Sequence, residues 1–171
     1  MGGLLCLEVP VIRPAVPDDV SAIVEMVHEL AAFERAPDEC HLTAELLTTA
    51  LFGPDPRVYC HVAVEDGRPI GMALWFLTFS TWEGVHGIHL EDLYVRESAR
   101  GTGAGKALVA ELARICVERG YPRLEWAVLD WNPARRFYEA LGAGHKSDWL
   151  PYRLSGAPLA ALAASSGAAT S

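Results

Sequence analysis

Leu90-Glu91-Asp92-Leu93-Tyr94-Val95 runs within a few residues into Arg100-Gly101-Thr102-Gly103-Ala104-Gly105-Lys106, and this junction decides the fold. The first stretch alternates in the manner of a strand. The second is glycine-rich and precedes a helical pattern in which Leu108, Leu112, Ile115 and Cys116 form one apolar stripe. Glycines between a strand and a helix let backbone amides approach an anion, and the helix dipole favours negative charge there. The spacing narrows the choice of anion. The loop of nucleoside triphosphatases needs G-x-x-x-x-G-K-[ST], which here puts Arg100 at the first glycine and Ala107 at the hydroxyl. The dinucleotide pattern G-x-G-x-x-G, begun at Gly101, needs glycine where Lys106 stands. Both patterns fail.

Outward from this junction the elements are well punctuated. Val11 to Arg13 reads as a strand, and Pro17 opens a helix carrying Val20, Ile23, Val24, Val27, Leu30 and Ala31 at helical spacing. Thr43 is an N-cap for a second helix containing Leu46, Leu47, Ala50 and Leu51, and Gly53-Pro54 ends it. Val58 to Glu65 and Pro69 to Ser80 read as a hairpin about Asp66-Gly67, followed past Trp82-Glu83-Gly84 by a strand from His86 to Val95. After the glycine loop and its helix, stopped at Gly120, come a strand from Leu124 to Leu129, a helix capped by Asn132 with Pro133 first, and a final strand or two around Trp149 to Leu154. Gly142 closes that last helix. The expected fold is α/β with a mixed, mostly antiparallel sheet flanked by helices.

The chain has 171 residues, 51% hydrophobic and 21% charged, which suits one globular domain rather than disorder. Its expected extent is residues 11–155, with a leader at 1–10 and a mobile Ala/Ser-rich tail at 156–171 that holds a helical turn near Leu159 to Leu162. A net charge of -8 removes the electrostatic basis for binding nucleic acid and suits a cationic substrate. Cys6, Cys40, Cys60 and Cys116 form no C-x-x-C pair, so buried reduced thiols are expected. No stretch is apolar for the roughly 18 residues a span requires, so no membrane association and a cytoplasmic location are expected. His89 and Glu91 share a strand face with His86 opposite, too few ligands for a metal site, and none is expected.

Arg100, Gly103 and Gly105 match the R/Q-x-x-G-x-G/A pattern of the GCN5-related N-acetyltransferases. A second stretch, Asn132-Pro133-Ala134-Arg135-Arg136-Phe137-Tyr138 through Gly142-Ala143, resembles the N-x-x-A-x-x-F-Y-x-x-x-G-A signature of the same family. The segments Glu29 to Glu34, Ser80 to Gly84, Leu90 to Val95 and Ala127 to Asn132 are similar to the diamine and thialysine branch. This resemblance implies the family's sheet, splayed where acetyl-coenzyme A binds, transfer of acetyl to an amine, no metal, and a homodimer paired near the C-terminal strand.

Carried over residue by residue, the resemblance implies that Gly101, Thr102, Gly103, Ala104, Gly105 and Lys106, with Arg100, hold the pyrophosphate. Leu93, Tyr94 and Val95 would contact the acetyl-pantetheine end, and Asn132 and Arg135 would lie along the coenzyme. Phe33, Glu34, Trp82, Glu91 and Asp92 are the acceptor-side candidates. Glu91 is either the base, acting through water, or only an anchor for the ammonium. Tyr138, a phenol of ordinary pKa about 10, is the candidate acid for the leaving thiolate. No Cys-His arrangement suggests an acyl-enzyme, so a direct ternary-complex transfer is expected. The rivals are another acceptor (an aminoglycoside, an amino acid or a protein N-terminus) and a non-catalytic acyl-coenzyme A sensor.

Overall fold

The computed structural model describes residues 10–166, so Cys6 and nearly all of the expected leader lie outside the described residues. Those residues form two compact units, one running to Ala127 and one from Val128 onward. The first holds a five-stranded sheet in the order β1-β2-β3-β4-β5: β1 (Val11–Pro14), β2 (Tyr59–Glu65), β3 (Arg68–Ser80), β4 (Val85–Val95) and β5 (Leu124–Glu125). The first four run antiparallel in succession, and β5 joins β4 in parallel. Hairpin β2-β3 turns at Asp66-Gly67, both with positive φ (49° and 74°), the conformation that tightly coiled hairpins demand.

Helix α1 (Val20–Phe33) follows a 3-10 turn at Pro17–Asp19, and α2 (Ala44–Phe52) starts where Thr43 Oγ1 accepts the amide of Leu46 at 3.2 Å. Together they bury Val20, Ile23, Met26, Leu47 and Leu51 against Cys60, Val62, Met72, Leu74 and Tyr94 of the sheet. Residues of opposite parity on β2 and β3, His61 and Trp75, meet Glu111, Arg114 and Ile115 of α3 (Ala104–Arg119) across the other face. Of the thiols, Cys60 and Cys116 are buried and reduced, and Cys40 is half-buried.

Helix α1 ends in a Schellman motif: Ala36 N donates to Ala31 O and Arg35 N to Ala32 O, with Arg35 left-handed at φ 63°. At the end of α3 the same task falls to Gly120, φ 68°, at no steric cost. Arg35→Gly is expected to raise unfolding free energy by about 0.5–1 kcal/mol, the left-handed penalty less the chain entropy that glycine adds. A urea midpoint unchanged or lowered would show that the arginine side chain compensates the strain.

In the second unit, α4 (Ala134–Ala140) begins beside Asn132, whose Oδ1 accepts the Ala134 amide at 2.9 Å. The expected cap thus stands one residue earlier than the helical turn it closes. Two expectations need correction. The strand from Leu124 to Leu129 forms only at Leu124–Glu125, because β4 offers partners only at Ile88 and His89. No strand forms over Trp149 to Leu154, where Trp149, Leu150 and Tyr152 are exposed and Pro151 has no N–H for a ladder. In the tail the expected helical turn is a full helix, α5 (Gly156–Ala164).

Candidate active site

The site is organised by one extra residue in β4. Trp75 pairs with Leu90 and Leu74 with Asp92, so Glu91 is a β-bulge with no partner on β3. Side chains alternate along a strand, so Ile88, Leu90, Asp92 and Tyr94 would share a face without it. With it, Leu90 stays on the α3 face, beside Trp75, while Asp92 and Tyr94 turn to the face of Leu74 and Met72, beneath α1. The bulge therefore carries a carboxylate into the α1 side of the sheet.

Asp92 is half-buried there and forms no ion pair among the described residues. Burial, then the neighbouring Glu91 and Glu34 carboxylates, push its pKa up to about 6. Glu34, the residue that ends α1, is itself half-buried, and desolvation raises its pKa. Glu91 projects from the bulge, exposed, with its carboxylate 3.6 Å from His89 Nε2. Three carboxyl groups thus converge where α1 ends over β4. A cationic group would relieve their mutual repulsion, and one of them near neutrality can accept a proton.

The bulge lies beside an opening in the sheet. β5 pairs with β4 only at Ile88 and His89, which leaves the β5-side edge from Glu91 through Leu93, Tyr94 and Val95 without a strand partner among the described residues. Beyond Val95 a 3-10 turn at Glu97–Ala99 leads to Arg100 and the glycine loop. Gly101 and Gly103 have positive φ, and Gly103, at 91°, is the N-cap of α3. The first helical bond reaches Gly103 O from Ala107, so the amides of Ala104, Gly105 and Lys106 precede it. Among the described residues no side chain caps them: Gly103 has none, and Thr102 Oγ1 donates to Ala99 O at 2.8 Å. Backbone donors at a helix N-terminus suit an anionic group.

Arg96, which the sequence reading passed over, fastens β4 to α1 through Glu25 Oε2 at 2.8 Å and Glu29 Oε1 at 3.0 Å. The spacing of Glu25 and Glu29, one helical turn apart, was the available signal. The ring of Phe33 faces the guanidinium of Arg100, 5.6 Å away. Trp82 is 92% exposed in the β3-β4 turn. Six residues of β4, roughly 20 Å of strand, separate that end of the hairpin from Glu91, so the structure does not bring Trp82 to the carboxylates. In the second unit Asn132 is buried, Arg135 Nη1 donates to Asp130 O at 3.0 Å, and Tyr138 packs its ring 5.2 Å from that of Phe137.

Among the described residues no group of three or more His, Cys, Asp or Glu side chains is placed to hold a metal. No helix of the described residues is long and apolar enough to cross a membrane.

The pattern of the acetyltransferase (GNAT) family matches residues 23–143. A thialysine N-epsilon-acetyltransferase of Bos taurus is 34% identical over 164 residues, covering 89% of this chain and 96% of that protein. One from Caenorhabditis elegans is 36% identical over 147 residues, covering 84% and 90%. Among solved structures, an integron cassette protein from the mobile metagenome of V. cholerae is 28% identical, with a TM-score of 0.76 over 91% of this chain and 98% of its own. With a glycine cradle, an opened strand edge and a carboxylate cluster already in place, the chain belongs to the acetyltransferase (GNAT) family and is an N-acetyltransferase.

Proposed function

We propose that the chain transfers acetyl from acetyl-coenzyme A to a primary amine of a polyamine, diamine or lysine-like acceptor, by direct attack within a ternary complex. The observation that carries the acceptor class is the trio Glu34, Glu91 and Asp92, three carboxyl groups converging where α1 ends over β4. The thialysine N-epsilon-acetyltransferases among the relatives support it. The donor fits the uncapped amides of Ala104, Gly105 and Lys106, with Arg100 to Gly103 completing the pyrophosphate loop and Leu93 to Val95 lining the pantetheine arm. When bound, the coenzyme supplies the activated acetyl thioester.

The chain's residues then do the following. Asp92 or Glu91 draws in the ammonium; the raised pKa makes Asp92 the better base, with Glu91 as its electrostatic partner. The carboxylate first takes a proton from the bound ammonium; the neutral nitrogen then bonds to the acetyl carbon as the carbon-sulfur bond breaks, and its second proton passes through water to restore the Tyr138 phenol. Tyr138 gives its phenolic proton to the departing sulfur. Asn132 and Arg135 are assigned to the coenzyme. A cytoplasmic homodimer completes the reading, and light scattering at a dimer's mass is its expected outcome.

The test is coenzyme A release from acetyl-coenzyme A with spermidine, putrescine, lysine, thialysine and an aminoglycoside in parallel. Turnover is expected with a diamine or lysine-like amine. Turnover confined to the aminoglycoside would overturn the acceptor class. Donor binding without turnover on any of these amines would favour an acyl-coenzyme A sensor.

A further inference from the structure

Arg100 joins three elements. Its guanidinium carbon lies 5.6 Å from the centroid of Phe33 on α1 and 5.7 Å from that of Tyr94 on β4, while its Nε donates to Val95 O at 3.2 Å. Arg100 immediately precedes the glycine loop, and Phe33 is the last residue of α1. Arg96 already holds the middle of α1 through Glu25 and Glu29. The stack on Arg100 reaches further, to the helix end. The next residue is Glu34, whose carboxyl acts on Asp92, and the one after is left-handed Arg35.

We propose that Phe33 is a positioning residue that, stacked on Arg100, latches the coenzyme loop to the end of α1, so that filling the loop orders Glu34 on the acceptor side. The inference rests on the loop taking the anionic part of acetyl-coenzyme A. Phe33 is 37% exposed and Arg100 is exposed, so ordering the stack costs side-chain and backbone entropy in the empty protein. An anion seated on the α3 amides stiffens the chain from Arg100 onward. The ordering is then already met when the amine arrives, which is positive coupling without a large movement. By linkage the amine tightens the coenzyme by the same factor.

The amides of Glu34, Arg35 and Ala36 report on the latch, since they bond to Leu30, Ala32 and Ala31 carbonyls at the end of α1. Hydrogen exchange is measured on the full chain with and without coenzyme A, for wild type, Phe33→Tyr and Phe33→Leu. Calorimetry establishes that each binds coenzyme A, and a thermal melt that each is folded. Coenzyme A is expected to slow exchange at these three amides about fivefold in wild type and Phe33→Tyr, the size of an exposed cation-π contact. Phe33→Leu keeps the apolar bulk but not the ring's charge distribution, and its exchange is expected to be unmoved by bound coenzyme A. Equal protection in Phe33→Leu would reduce Phe33 to packing and overturn the latch. So would bound coenzyme A that protects none of the three amides in wild type. Failure of wild type to bind coenzyme A would overturn the donor assignment itself and the latch with it.

Discussion

Asp92→Asn is expected to lower kcat/KM by a factor of about 10² to 10³ while making the protein more stable. The first effect follows from removing a proton acceptor whose pKa, about 6, places it mostly ionised yet still basic at neutral pH. In wild type kcat/KM should rise with pH through about 6 as Asp92 loses its proton, and the variant should lack that limb. The second effect has the opposite sign because burial and the Glu91 and Glu34 charges disfavour ionised Asp92 in the fold. A carboxyl with a raised folded pKa destabilises the native state above that pKa and ceases to do so below its unfolded value, ordinarily about 3.9. The gain from asparagine should therefore be about 2 kcal/mol above pH 6 and vanish by about pH 4, after allowing for partial solvent access. Urea unfolding at pH 8 and pH 4, beside a pH-rate profile, checks both. An unchanged acid limb would overturn the base role of Asp92.

Tyr138→Phe is expected to reduce kcat by about 10²-fold with little change in either KM, the pattern of a group that acts on the leaving sulfur and not in binding. The substitution removes one oxygen and keeps the ring against Phe137, so α4 should be retained. Its closing bonds, Ala143 N and Leu141 N to Tyr138 O, are made by the backbone and survive. Steady-state kinetics with both substrates varied is the measurement. Wild-type turnover in the variant would leave Tyr138 a packing residue, and a rise in donor KM alone would make it a coenzyme contact.

Helix α1, the Asp66-Gly67 hairpin, the strand entering the glycine loop and the helix leaving it were legible because local rules define them. Apolar spacing, a capping threonine and glycines with positive φ each act within a few residues. The short β5 and the missing strand at Trp149 to Leu154 were not, because a strand exists only where a partner offers its edge. β-branched and aromatic composition says nothing of whether that partner is present.

The site divides along the same line. Sequence by itself determined the family, the glycine loop from Arg100 to Lys106 between strand and helix, and the two neighbouring carboxylates Glu91 and Asp92, since these lie in contiguous motifs set by residue type and order. Only the tertiary structure decided which carboxylate turns inward. The bulge at Glu91 is a matter of register against Leu74 and Trp75, and one unpaired residue moved Asp92 across the sheet. Tertiary structure likewise decided that Phe33 meets Arg100, sixty-seven positions away, because packing α1 on β4 brings together groups that no local pattern relates.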